Sequence, residues 1–179
     1  MLRNFVIGIA LMLAALTFGQ FGRGTQDKPA EVPAAAPGQS ETAPRRMGEN
    51  VVAYNTGDAA MNAAKKKARA TLPRFHELMA AGTSGTYVVK FPLTQNGATE
   101  HIWLQLTGYS DGTYQGLLAD HPVNGNQYRM GDPMDVAEAD VEDWMINDGK
   151  TIWGGYTARV ALQDMPKEEA ERYKFMFQD

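Results

Sequence analysis

The spacing of apolar positions changes period once along the chain. Between Asp58 and Phe75 they recur every three or four residues, at Met61, Ala64, Ala68, Leu72 and Phe75, the period of one helix face. Asp58 is placed to cap that helix. Pro73 is incompatible with an unbroken interior turn, so a kink or restart is expected near Thr71. The opposite face carries Lys65, Lys66, Lys67, Arg69 and Arg74 and reads as solvated. Gly82 and Gly85 close the helical region.

From Thr86 the period drops to two. Thr86 to Leu93 is rich in β-branched and aromatic residues and predicts a strand. Gln95-Asn96-Gly97 predicts a turn, because Asn-Gly accepts positive φ. Glu100 to Tyr109 alternates, with His101, Trp103, Gln105 and Thr107 on one side and Ile102, Leu104 and Leu106 on the other. Ser110-Asp111-Gly112 predicts a second hairpin turn, returning through Thr113 to Ala119. Pro122 to Gly131 reads as a loop, and Met134 to Ala137 as a short strand. Val141 to Ile146 and Thr151 to Leu162 read as strands flanking Asn147-Asp148-Gly149, and Gly154-Gly155 as a bulge or close approach within the second. Pro166 to Phe177 predicts a closing helix, with Pro166, Glu168 and Glu169 in its first turn. The fold class is therefore α+β: an antiparallel meander sheet or small open β-barrel of five to six strands, with an N-terminal helical segment and a C-terminal helix.

The first fifty residues follow neither period. One cation, Arg3, precedes an almost wholly apolar run from Phe5 to Phe18. Fourteen helical residues span about 21 Å, short of a bilayer's roughly 30 Å hydrocarbon core. Residues 1–19 therefore read as a signal peptide cut after Gly19, with an uncleaved anchor as the alternative. Its removal takes away one Arg and no acid, moving the net charge from −4 to −5. Residues 20–50 read as an Ala/Pro/Gly-rich linker. Thirteen of the 29 residues from Gly22 to Asn50 are Gly, Ala or Pro, too few apolar groups to offset the entropy of ordering. Residues 51–179 form the folded domain.

Composition narrows the chemistry. With 17 Lys and Arg against 21 Asp and Glu, the chain lacks the basic surplus that nucleic-acid binding through phosphates requires. The absence of cysteine removes disulfides, thiolate metal sites and cysteine nucleophiles. His76, His101 and His121 fall on three different elements with no ligand spacing, and no Gly-x-Ser-x-Gly elbow or phosphate loop occurs. No metal or cofactor is expected. The densest polar feature is acidic: Asp132, Asp135, Glu138, Asp140, Glu142, Asp143 and Asp148 lie between Gly131 and Asp148 with no Lys or Arg. The first five form a candidate interface for a basic protein partner.

Several short motifs carry a resemblance. They are Ala68-Arg69-Ala70-Thr71-Leu72-Pro73-x-Phe75, Glu100-His101-x-Trp103, Gly116-Leu117-Leu118 with Pro122, Gly131-Asp132, Asp143-Trp144-Met145 and Gly154-Gly155-Tyr156-Thr157-x-Arg159. Together they resemble the YegJ-like family of bacterial proteins of unknown function, the DUF2314 domain, over about Asp58 to Asp179. An Asn is usual in that pattern where Asp120 stands. The resemblance implies no established activity, cofactor or catalytic residue.

The motif residues Glu100, His101, Trp103, Asp143, Trp144, Tyr156, Thr157 and Arg159 make a candidate binding cleft, since a meander brings their strands together. Trp103 would be a wall, and an Asp143–Arg159 pair would be bidentate and short. The competing reading is a fold-locking ion pair with buried tryptophans. The function expected is an exported cell-envelope binding or interaction module of unknown ligand, periplasmic or secreted and more a binder than an enzyme. It would touch a membrane only through an uncleaved N-terminal segment. One alternative is a hydrolase or lyase using His101 with Glu100 or Asp143 as acid–base groups. Another is an immunity- or inhibitor-type protein using its acidic face.

Overall fold

The computed structural model describes residues 5–8, 45–48, 51–54 and 57–178. Most of the expected signal peptide and linker, residues 1–50, lies outside the described residues. Three short strands precede the helices, β1 (Phe5–Gly8), β2 (Arg45–Gly48) and β3 (Val51–Tyr54); β3 pairs with both of the others, and β1 lies parallel to Glu100 and His101. Among the described residues no helix is long and apolar enough to cross a membrane.

The domain proper opens with α1 (Ala59–Ala70) and α2 (Leu72–Ala80). The Asp58 carboxylate accepts the Met61 N–H at 2.8 Å, capping α1. Asp58→Ala is expected to cost about 1 kcal/mol, read as a lower urea midpoint with an unchanged m-value. The restart falls at Thr71, and Pro73 occupies the first turn of α2, where its missing N–H costs nothing. Trp144 fills the break: its indole N–H donates to the Ala68 carbonyl at 3.2 Å and Thr71 Oγ1 at 3.0 Å.

The sheet follows as β4 (Thr86–Gln95), β5 (Ala98–Ser110), β6 (Thr113–Leu118), β7 (Pro133–Ala137), β8 (Asp143–Asn147), β9 (Ile152–Gly154) and, after two helices, β10 (Phe177–Gln178). These seven strands lie in the order β10-β9-β8-β4-β5-β6-β7, antiparallel except for β10 on β9. The sheet is open rather than closed into a barrel, and the fold is α+β. Two turns take the predicted geometry, with Asn96 and Gly97 at φ 51° and 76° and Asp111 and Gly112 at 50° and 72°.

Alternation gives the sheet two buried faces. Val89, Phe91, Leu93, Ile102, Leu104, Trp144 and Ile146 meet Ala68, Leu72, Phe75 and Leu78 of the helices, and Phe75 stacks on Trp144 with centroids 5.0 Å apart. The other face holds a smaller cluster, Val88, Trp103, Ala119, Met145 and Ile152, under Met176 and Phe177.

One prediction fails locally. Thr151 to Leu162 is not one strand: β9 ends at Gly154, and α3 (Tyr156–Leu162) begins after Gly155. Both glycines have positive φ, 73° and 67°, which ends the strand. A Cβ on Gly154 would lie 2.4 Å from the Trp144 carbonyl oxygen. The closing helix is shorter than expected: α4 (Lys167–Lys174) precedes β10. A single 3-10 turn, Glu138–Asp140, separates β7 from β8.

Candidate functional site

The chemistry of the domain concentrates on the smaller buried face. Register sets Lys90 of β4 opposite Asp143 of β8 on one side and Trp103 of β5 on the other. Lys90 is 1% exposed and Asp143 0%. The Lys90 ammonium lies 5.4 Å from the Trp103 ring centroid. Burial lowers its pKa to about 8, against the pull of Asp143, Glu142 and Asp120.

Asp143 accepts four hydrogen bonds. The Trp144 and Tyr156 N–H groups donate to Oδ1 at 2.9 and 3.2 Å, and the Thr157 N–H and Oγ1–H donate to Oδ2 at 2.7 and 2.6 Å. It thus serves as a long-range cap for α3, whose own N-cap is Gly155. Burial pushes its pKa up, while these donors and Lys90 hold it down; the net direction is upward.

One step along the sheet, His101 Nδ1 pairs with Glu142 Oε2, which also forms an ion pair with Lys65 of α1 at 3.0 Å. Burial lowers the His101 pKa although Glu142 opposes it. Burial works to raise the Glu142 pKa, but the His101 and Lys65 partners outweigh it and the net shift is downward. The pair therefore reads as an ionised carboxylate on an imidazole that sheds its proton readily.

Asp120, just past β6, accepts the Trp103 N–H through Oδ2 at 3.2 Å, while its Oδ1 is buried without a hydrogen-bond partner. Burial raises its pKa to about 6, opposed by the Trp103 N–H and Lys90. Glu100 takes a different role. It accepts Val123 and Asn124 N–H groups at 3.0 and 3.3 Å and fastens the 122–131 loop.

The predicted cleft residues are thus brought near one another but mostly packed away. Trp103, Trp144, Tyr156 and Thr157 are buried. Asp143 and Arg159 do not pair. The Arg159 Nε and Nη2 donate to the Gly154 and Gln178 carbonyls at 3.1 and 2.5 Å, and its guanidinium lies 5.2 Å from the Tyr156 centroid and 5.1 Å from that of Phe177.

The acidic interface is also redrawn. Glu142 is buried and belongs to the His101 cluster, because the 3-10 turn redirects the chain before β8. Asp132 accepts the Arg129 N–H at 2.8 Å, and Glu138 takes the Tyr109 hydroxyl at 2.6 Å. Asp135 and Asp140 are exposed. Lys65, taken with the solvated run, turns inward to Glu142.

Sequence reasoning passed over Lys90, Lys65 and Asp120 as site residues. A signal existed for Lys90: it is the one charge in the apolar run Val88-Val89-Lys90-Phe91. Among the described residues no group of three or more His, Asp and Glu side chains is arranged to hold a metal ion.

The family model for "Uncharacterized protein conserved in bacteria (DUF2314)" matches residues 58–177. The chain belongs to the DUF2314 family. It is 36% identical over 115 residues to the uncharacterized protein YegJ of Escherichia coli (strain K12), covering 64% of this chain and 75% of that one. No solved structure matches it. The DUF2314 match spans α1 to β10, so the polar cluster and both apolar faces lie within it.

Away from the cluster, this DUF2314 domain has an open cavity of about 510 Å³ between α3, α4 and β10. It is lined by Arg159, Leu162, Met165, Lys167, Lys174 and Phe177, with Gln163 and Ala170.

Proposed function

We propose that the protein is an exported binding module whose ligand occupies the cavity between α3, α4 and β10. The observation that carries the reading is that cavity, whose volume falls within the roughly 300–1,000 Å³ of small-molecule sites and whose walls combine apolar side chains with a few polar ones. The polar cluster supports the scaffold: the donors on Asp143 and Glu100 are fixed backbone and side-chain groups, which suits a frame better than a group that must exchange protons with substrate. The charged start and apolar run from Phe5 to Phe18 support export.

The test is a fragment screen on the full chain by ligand-observed NMR, repeated with Ala170→Trp, which fills the cavity from α4. Fragments that bind at the site are expected to weaken at least tenfold with that variant. Hits unaffected by Ala170→Trp, or none at all, overturn the reading. Cell fractionation with an antibody to the folded domain tests export, and a purely cytosolic signal refutes it.

A second reading rests on Lys90. Among the described residues its buried ammonium makes no hydrogen bond or ion pair, and its pKa of about 8 suits proton transfer near neutrality. It relocates the acid–base alternative from Glu100 and Asp143 to Lys90, His101 and Asp120.

A further inference from the structure

We propose that the cavity between α3, α4 and β10 takes one molecule of an anionic amphiphile, a medium-chain carboxylate. Its headgroup lies at Lys167 and Lys174, and its tail runs along Leu162, Met165 and Phe177. The proposal rests on the reading of that cavity as the ligand site and adds the ligand's chemistry.

Charge selects the headgroup. Among the described residues, eight line the cavity; three of these are cations, Arg159, Lys167 and Lys174, and none is an acid. The chain as a whole has the opposite balance, 21 acids to 17 cations, so a positive cavity stands out against the protein's own field. The helix period creates it. Lys167, Ala170 and Lys174 sit at i, i+3 and i+7 of α4 and share one stripe, with the small Ala170 leaving room between the two ammonium groups. Lys174 also pairs with Glu171 at 3.0 Å, but both side chains are largely exposed. Such a pair is worth at most about 1 kcal/mol and yields readily to a better partner. Arg159 needs no free donor for its part. Held on the Gly154 and Gln178 carbonyls and lying over Phe177, it fixes one apolar wall and adds positive potential behind it.

The walls select the tail. Leu162 is buried, Met165 and Phe177 are half-buried, and the lysine stems add methylene surface. A compact inorganic anion would leave those walls uncovered. A neutral chain would satisfy them but make no use of the positive potential at Lys167 and Lys174.

The experiment titrates the full chain with decanoate, decan-1-ol and decyltrimethylammonium, each as monomers, by calorimetry and by NMR of the amides of residues 159–177. Decanoate is expected to saturate one site, with the other two at least tenfold weaker. Lys167→Glu/Lys174→Glu, both exposed positions, is expected to weaken decanoate at least tenfold without moving the Tm. Equal binding of the alcohol or the cation, or no effect of charge reversal, overturns the ligand class. If Ala170→Trp still blocks those probes, the cavity reading survives that failure. If no probe shifts the amides and Ala170→Trp changes nothing, the cavity reading falls as well. An arm with phosphatidylglycerol vesicles separates a bilayer from a single molecule. Charge-sensitive co-sedimentation without decanoate binding assigns the face to a membrane surface and overturns the proposal.

Discussion

Asp143→Ala is expected to destabilise the domain by about 3–5 kcal/mol, the loss that follows when one member of a buried charged network is removed. Against a typical total of about 5–15 kcal/mol, that brings the variant close to unfolding. Two consequences add. The N–H groups of Trp144, Tyr156 and Thr157, with the Thr157 hydroxyl, lose their shared acceptor in a buried setting, each at the cost of an orphaned donor. Lys90, opposite in the register, loses the largest influence favouring its charge. Asp143→Asn separates these effects from catalysis. Its amide NH2 would face donors where Oδ2 now accepts Thr157, so most of the loss should remain. Urea unfolding measures both variants. If Asp143→Asn stayed within about 0.5 kcal/mol of the parent, as an ordinary surface exchange does, the α3 cap would be dispensable and the motif would have to be explained by ligand contact.

The same residue marks how far the fold could be read in advance. Elements whose signals are local were legible. The helix restart follows from Pro73, and the β4–β5 and β5–β6 hairpins follow from Asn96-Gly97 and Asp111-Gly112, which need no distant partner to adopt positive φ. The α3 helix was not legible. Its residues Tyr156-Thr157-Ala158-Arg159-Val160 include β-branched and aromatic types that favour strands, and its cap comes from Asp143, 13 residues upstream. No window around Gly154-Gly155 contains that carboxylate. The candidate site divides the same way. His101 and Trp103 share a face as their alternation predicts, but Glu142 was placed by composition with an acidic surface. Only the 3-10 turn at Glu138–Asp140 and the approach of Lys65 from α1 turn it inward. Lys90 was passed over because charge normally implies exposure. Its burial is decided by Trp103 across the hairpin on β5 and by Asp143 on the distant β8.

Asp120→Asn is expected to stabilise the protein at pH 8 by up to about 3 kcal/mol and to change it little at pH 4. Asp120 has an ordinary pKa of 3.8, raised to about 6 in the folded chain by burial. Between those values the folded state binds more protons than the unfolded one. Its favourable contribution is therefore complete below 3.8 and is lost as pH rises through about 6. At about 1.36 kcal/mol per pH unit, that interval sets the size of the effect. Asparagine is neutral throughout and still offers an oxygen to the Trp103 N–H, so it should behave like the protonated parent. Other groups titrate with their own signs. Asp143 is raised and follows Asp120, whereas Glu142 and His101 are lowered and withdraw stability as pH falls. Lys90, lowered to about 8 from 10.5, binds fewer protons folded than unfolded between those values, so its term acts only above pH 8. All four remain in the variant, so between pH 4 and 7 the difference between the two unfolding curves reports Asp120, and above that it also carries the coupling of Asp120 to Lys90. Parallel curves would mean that Asp120 is ionised at no cost, and that a partner met in the folded state already satisfies Oδ1. A difference opening between pH 4 and 6 would instead establish a carboxyl group that stays protonated well above its usual range beside an unpaired buried lysine. That is the pairing the Lys90 acid–base reading requires, and its absence would leave the cavity as the sole functional site proposed for the domain.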